Sequence, residues 1–208
     1  MSTPLGKLDV LASGPRMAGL RRVTRETDIT VHLELDGEGR AEVATGIGFL
    51  DHLLTSLAHH ALFDLTIAAR GDLEVDEHHT TEDVALVLGA AIDAALGDRA
   101  GIRRFGDASV PMDEALASVA IDVGGRPYAV VDLPFRGERM GTLPTQLVEH
   151  ALEAFARTSG STLHVRGAGR NDHHLAEAAF KALARALRIA CEPDPRRRGV
   201  ASTKGTAS

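Results

Sequence analysis

Apolar and polar residues alternate with a period of two over residues 21–45, where Ile29, Val31, Leu33 and Leu35 are separated by Thr30, His32 and Glu34. Such a segment buries one face and wets the other, so it predicts strand. Asp36-Gly37-Glu38-Gly39 offers turn residues, and a hairpin is the simplest reading. After Gly48 the period lengthens, and Phe49-Leu50-Asp51-His52-Leu53-Leu54 opens an amphipathic helix that ends near His60. Residues 64–69 read as another strand. Asp76 is then expected to N-cap a helix with Val84, Leu88 and Ala91 on one face, stopped by Gly97.

The same course recurs further along. Strands are expected over residues 114–123 and 127–133, joined at Gly124-Gly125, followed by a helix from near Pro144 and a strand over residues 161–166. A last helix after Asn171-Asp172 carries Ala176, Phe180, Leu183 and Leu187 as an apolar stripe. Strands, helix, strand, helix is thus given twice. This predicts an α+β fold, an internally duplicated unit with helices layered on mixed sheets and a pseudo-twofold relation inside one domain. The halves fall at about residues 21–104 and 105–190 of a single 208-residue domain. Residues 1–18 read as a loose tail, and beyond Pro193-Asp194-Pro195 a short basic tail loses periodicity.

Aromatic residues make up only 3% of the sequence and Trp is absent, so the core must be built from Ala, Leu, Val and Ile. A formal net charge of -6 gives no basic footprint for nucleic acid, although Arg196-Arg197-Arg198 is a local cluster, and a small-molecule partner is expected. The single Cys191 has no second thiol to pair with, which favours a reducing cytoplasm. The first twenty residues lack the apolar run of a signal peptide, and no stretch approaches the roughly twenty apolar residues of a membrane span.

The chemistry lies in a repeated constellation. His78-His79-Thr80-Thr81-Glu82 and His173-His174-Leu175-Ala176-Glu177 are each preceded by an acid-His pair, Asp51-His52 and Glu149-His150. The lead is 26 residues from His52 to His78 and 23 from His150 to His173, so a whole supersecondary unit has been copied. Residues four apart on a helix share a face, so His78 and Glu82 can meet one metal ion and His173 and Glu177 another. His79 and His174 point about 100° away around the helix. Two arrangements follow: His79 and His174 cross to the opposite half's metal, or both reach sites on an adjacent subunit. With His52 and His150, six imidazoles and two carboxylates serve two ions, a donor set that suits Mn, Fe or Zn. His59-His60 has no counterpart in the second half and reads as a solvated pair.

Over nearly its whole length the sequence resembles the imidazoleglycerol-phosphate dehydratase family. The matching motifs run from Arg25-Glu26-Thr27 through Thr45-Gly46-Ile47-Gly48-Phe49-Leu50-Asp51-His52 and Asp76-Glu77-His78-His79-Thr80-Thr81-Glu82-Asp83. They continue through Arg104-Phe105-Gly106, Pro111-Met112-Asp113-Glu114, Gly125-Arg126-Pro127, Glu149-His150 and Asn171-Asp172-His173-His174 to Ser202-Thr203-Lys204-Gly205. Two departures, Leu53 where many members have Met and Gly124 where Ser is frequent, fall outside ligand positions. The resemblance implies dehydration of imidazole glycerol phosphate to imidazole acetol phosphate in histidine biosynthesis, two Mn2+ ions per active site, and a ribosomal protein S5 domain 2-like fold with mixed four-stranded sheets. It also implies a homo-oligomer of 24 subunits with sites shared between them.

The chemical difficulty is to remove hydrogen from a sugar carbon with no carbonyl beside it. Two ions gripping the imidazole nitrogens would favour a metal-bound imidazolate whose electrons expel the neighbouring hydroxyl. By resemblance Glu26 is the catalytic acid/base, and Arg104, Arg126, Lys181, Ser202 and Lys204 lie near the substrate phosphate. The spacing of Glu177 and Lys181 is also that of an ordinary helix ion pair. A dinuclear metallohydrolase would use the same ligand set to activate water. A ferritin-like metal store is disfavoured, because its Glu-x-x-His order on long helices is reversed here and strands interrupt the helices.

Overall fold

The computed structural model describes Leu5 and residues 7–206. The first half runs β1 (Asp9–Gly14), β2 (Met17–Val23), β3 (Thr27–Glu34), β4 (Ala41–Ala44), α1 (Gly48–Ala61), β5 (Asp64–Gly71) and α2 (His78–Leu96). The second runs β6 (Phe105–Met112), β7 (Ala115–Asp122), β8 (Tyr128–Asp132), the two-residue strands β9 (Arg139–Met140) and β10 (Leu143–Pro144), α3 (Thr145–Ser159), β11 (Thr162–Ala168) and α4 (Asp172–Cys191).

One sheet has the order β1-β2-β3-β5-β4 and the other β6-β7-β11-β8. Apart from β1 the two match strand for strand. β2-β3-β5 and β6-β7-β11 are antiparallel, and each last neighbour, β4 or β8, lies parallel to the strand that precedes the long helix. The mixed sheets expected from sequence are therefore present, with five strands in the first instead of four.

Three expectations need correction. β3 and β4 do not form a hairpin, because β5 inserts between them, and β11 likewise inserts between β7 and β8. Alternation reveals which face of a strand is buried but not which neighbour supplies its hydrogen bonds. Residues 9–18 are not loose, since β1 pairs with β2 through Asp9↔Arg21 to Gly14↔Met17; the ends of that expected tail, residues 1–4 and 6, lie outside the described residues. The segment Phe105–Met112 forms β6, unmarked in the sequence because Gly106 and Pro111 dilute its apolar signal.

The four helices fill the space between the sheets. α1 and α2 lie on the first sheet, α3 and α4 on the second, with α1 against α4 and α2 against α3. Small residues let them approach closely: a Cβ on Gly89 would stand 2.2 Å from the Thr158 hydroxyl and 2.6 Å from the Phe155 carbonyl. Ala178, Ala182, Ala186 and Ala190 of α4 are wholly buried, as the scarcity of aromatic residues requires. Cys191 is buried too, and burial pushes its thiol up to about 12. Among the described residues no helix is long and apolar enough to cross a membrane.

Candidate metal centres and their surroundings

The N-terminus of α4 is fixed by Asn171, whose side chain accepts from the backbone N–H of His173 at 3.0 Å and of His174 at 3.4 Å. One turn on, Glu177 Oε1 lies 2.8 Å from His173 Nε2 and also 2.8 Å from His52 Nε2, which reaches over from α1 of the other half. Lys181 Nζ donates to Glu177 Oε2 at 2.5 Å. Burial alone would raise this carboxyl, yet the hydrogen bonds from Lys181, His52 and His173 outweigh it and hold Glu177 down at about 2.

The second group mirrors the first. On α2, His78 Nε2 is 3.9 Å from Glu82 Oε2, and His150 Nε2, from α3, is 3.5 Å from Glu82 Oε1. Burial works against ionisation of Glu82, but Arg157, 2.9 Å away, together with His150 and His78, keeps its carboxyl below the ordinary range. The α2 start differs from expectation: Glu77 occupies the cap position, while Asp76 Oδ1 still accepts from His78 N at 2.8 Å.

Each half thus completes the other's group, by His52 and His150. His79 and His174 fall in neither group of this protomer. Rotated about 100° from the ligand face, they are tied elsewhere, His79 Nδ1 to Asp72 Oδ2 at 3.0 Å and His174 Nδ1 to Glu114 Oε2 at 2.9 Å. The acids before the crossing histidines differ in setting. Asp51 Oδ1 accepts from Thr45 N at 2.8 Å and from its hydroxyl at 2.6 Å, clipping α1 to the end of β4. The Glu149 carboxyl is raised by burial, with Glu153 adding to the shift. His59 and His60 stack edge-on at 5.2 Å at the end of α1 and are members of neither group.

In each group two imidazole nitrogens and one carboxylate oxygen come within 4.8 Å of one another. His150 Nε2 is buried without a hydrogen-bond partner. An orphaned imidazole nitrogen facing a carboxylate is a costly arrangement for protein alone and a fitting one for a divalent cation.

The remaining site candidates are dispersed over the molecule. Glu26 stands in the β2–β3 turn, 54% exposed at its side chain, with Oε2 3.9 Å from His79 Nδ1. It shares a surface cleft of about 320 Å³ with His79, Glu82 and Arg157. Arg104 is committed: only 13% exposed, it holds Asp122 through bonds of 2.7 and 2.8 Å and donates to the Ala201 carbonyl at 2.6 Å. Arg126, 65% exposed, lies 3.7 Å from the same Asp122. The C-terminal segment is not free, since Gly101 N donates to Gly199 O at 2.9 Å and Val200 bridges Ala100, placing Ser202 just past the Arg104 contact. Lys204 is exposed, its backbone N–H donating to Ser202 Oγ at 3.1 Å. Lys181 is not among these residues. Arg104 N bonds Ala190 O, nine residues further along α4, about 13 Å away at 1.5 Å per residue. Asp72, Asp122 and Arg157 carry no signal in the sequence, because carboxylates and arginines that act only through a contact formed by folding leave no spacing to find.

A duplicated α+β unit whose paired helices hold two His/His/Glu groups defines a candidate metalloprotein. The chain belongs to the imidazoleglycerol-phosphate dehydratase family, whose model matches residues 45–187. It is 55% identical over 195 residues to the chloroplastic imidazoleglycerol-phosphate dehydratase of Pisum sativum, covering 93% of this chain and 69% of that one. The enzyme of Granulibacter bethesdensis is 56% identical over 192 residues, covering 91% and 98%. The crystal structure of the Staphylococcus aureus dehydratase superposes with a TM-score of 0.78 at 35% identity, covering 86% of this chain and 99% of that chain. That of the Pyrococcus furiosus enzyme in complex with (S)-C348 gives 0.77 at 37% identity, covering 89% and 99%.

Proposed function

We propose that this protein dehydrates imidazole glycerol phosphate to imidazole acetol phosphate, a step of histidine biosynthesis, as a carbon–oxygen lyase. The observation that carries this is the pair of crossed groups, His52/His173/Glu177 and His78/Glu82/His150, in a member of this family. Two Mn2+ ions per site are the proposed cofactor, with His79 and His174 as further ligands. A divalent ion bound there supplies Lewis acidity toward the substrate's imidazole nitrogens.

The protein's own groups do the rest. Glu26 has no hydrogen bond to its carboxylate among the described residues and is free to take the proton from the substrate's sugar carbon and deliver one to the departing hydroxyl. Removal of that hydrogen and the adjacent hydroxyl leaves an enol, which becomes the ketone. Arg126, Ser202 and Lys204 are proposed to take the substrate phosphate, with Arg104 anchoring the segment that carries the last two. Lys181 is proposed to contact the same substrate.

These groups face different parts of one protomer, as do the free edges of His79 and His174, which supports sites assembled between subunits; a homo-oligomer of 24 is the proposed assembly. One domain of two halves, about residues 21–104 and 105–190, serves as the protomer. A cytoplasmic location fits the single buried thiol; the pea relative is chloroplastic by its own name. The test is turnover of imidazole glycerol phosphate by purified protein with and without added Mn2+. Ketone formation that is lost on chelation and restored by Mn2+ supports the proposal, whereas phosphate-ester cleavage or no turnover with bound metal defeats it.

A further inference from the structure

Glu26 and Glu114 occupy equivalent places in the two halves. Each immediately precedes the first buried residue of a central strand, Thr27 of β3 or Ala115 of β7. Thr27 and Ala115 face equivalent glycines, since a Cβ on Gly71 would meet Thr27 at 3.4 Å and one on Gly169 would meet Ala115 at 2.8 Å. Across from them stand the equivalent histidines His79 and His174. The geometry nevertheless differs. Glu114 is fully engaged, with Oε2 2.9 Å from His174 Nδ1 while Oε1 accepts from Asn171 N at 2.8 Å and Arg170 N at 3.2 Å. Glu26 stops 3.9 Å short of His79 Nδ1, and Asp72 has taken that nitrogen at 3.0 Å. The two residues are adjacent, Asp72 N donating to Glu26 O at 3.1 Å.

An ionised carboxylate can only accept, so the Nδ1 that it holds must carry the hydrogen. The neutral ring then keeps its lone pair at Nε2, the form a metal ion requires. In neither His79 nor His174 does Nε2 make a hydrogen bond among the described residues. We propose that Glu114 and Asp72 are the positioning residues of His174 and His79, and that transfer of this duty to Asp72 in the first half is what leaves Glu26 free for proton transfer. The inference rests on the dehydratase reading for the role of Glu26, and on geometry alone for the two orienting carboxylates.

Replacing Glu114 by Gln turns one acceptor oxygen into a donor, so either the backbone N–H groups or the Nδ1–H loses its partner, and the ring is drawn to the tautomer with hydrogen on Nε2. Metal-free protein titrated with Mn2+, with the free ion followed by electron paramagnetic resonance, reads the result. Glu114→Gln and Asp72→Asn should each weaken Mn2+ binding on the order of 10–100-fold. Glu26→Gln should leave Mn2+ affinity at the parent value while abolishing turnover. In a His174→Ala background, Glu114→Gln should add no further loss, because its effect passes through that ring. The proposal is overturned if Glu26→Gln weakens Mn2+ binding as much as Glu114→Gln, or if Glu114→Gln retains its full effect after His174→Ala. Should Glu114→Gln not fold, Asp72→Asn with His79→Ala decides in the same way. Absence of turnover in the parent protein would remove the dehydratase reading yet leave these affinities to judge the orienting roles.

Discussion

The carboxylate of Asp83 accepts a hydrogen bond from the Thr27 hydroxyl, tying the residue after Glu82 on α2 to the turn that carries Glu26. The same oxygen pairs with Arg22, whose Nε donates to the Leu5 carbonyl at 2.9 Å. At the other end of the turn, Thr24 Oγ1 accepts from Glu26 N at 3.1 Å and Thr27 N at 2.9 Å. One helix therefore places a metal-group carboxylate and, through its neighbour, the proposed proton carrier. Asp83→Asn should cost about 1–3 kcal/mol in urea unfolding, since Asp83 is buried and Arg22 loses its partner. Turnover should fall more steeply than metal content. A variant with parent kcat would show that the turn holds its place without Asp83.

His52→Ala and His150→Ala each remove one donor from the group centred on the opposite half. Each should lower bound metal by about half, measured by elemental analysis, and depress turnover at least roughly tenfold. Equal loss of both ions from either variant would mean that the two groups load as a unit.

At an exposed helix position Gly→Ala usually stabilises by up to about 1 kcal/mol. At Gly89 the sign should reverse, because the new methyl would collide with Thr158 and the backbone at Phe155 where α2 meets α3. A loss on the order of 3 kcal/mol is expected from such overpacking. Thermal unfolding of Gly89→Ala at or above the parent midpoint would contradict the packing described.

The Asp64 carboxylate accepts from the Arg40 guanidinium and from the backbone N–H groups of Glu38 and Arg40, and these hydrogen bonds hold it down at about 2 against an ordinary 3.8. The folded state thus prefers the ionised form. Its contribution is complete above pH 3.8 and is lost as pH falls toward 2. Asp64→Asn should unfold at a lower urea concentration than the parent at pH 7, and the two midpoints should converge between about pH 4 and 2. A constant gap across that window would assign the effect to something other than charge.

Much of this was legible in the sequence. The repeated His-His-x-x-Glu motif, the helix stop at Gly97 and the start of the last helix next to Asn171-Asp172 are local, and folding left them where spacing put them. Strand neighbours were not legible, because β5 and β11 insert between strands that are consecutive in sequence and only long-range pairing determines that. β1 escaped notice because Val10 and Leu11 are both exposed, so it shows no alternation. The crossing by His52 and His150 was also hidden, since helix geometry fixes which residues share a face but not which other helix that face will meet. The commitment of Arg104 to Asp122 was hidden as well, because the two lie 18 residues apart and only the pairing of β7 with its neighbours brings them together.

Because His52 and His150 each serve the opposite half, neither half of the molecule holds a whole group of its own. A fragment ending after α2 would hold His78 and Glu82 without His150, and His52 without His173 and Glu177. Two identical copies of either half, facing one another, could exchange these histidines reciprocally, and fusing two copies into one polypeptide makes that exchange independent of protein concentration. Once fused, the two copies could also diverge, which a self-associating single half could not do on one side without altering the other; Asp72 with a free Glu26 on one side, and an occupied Glu114 on the other, is such an asymmetry.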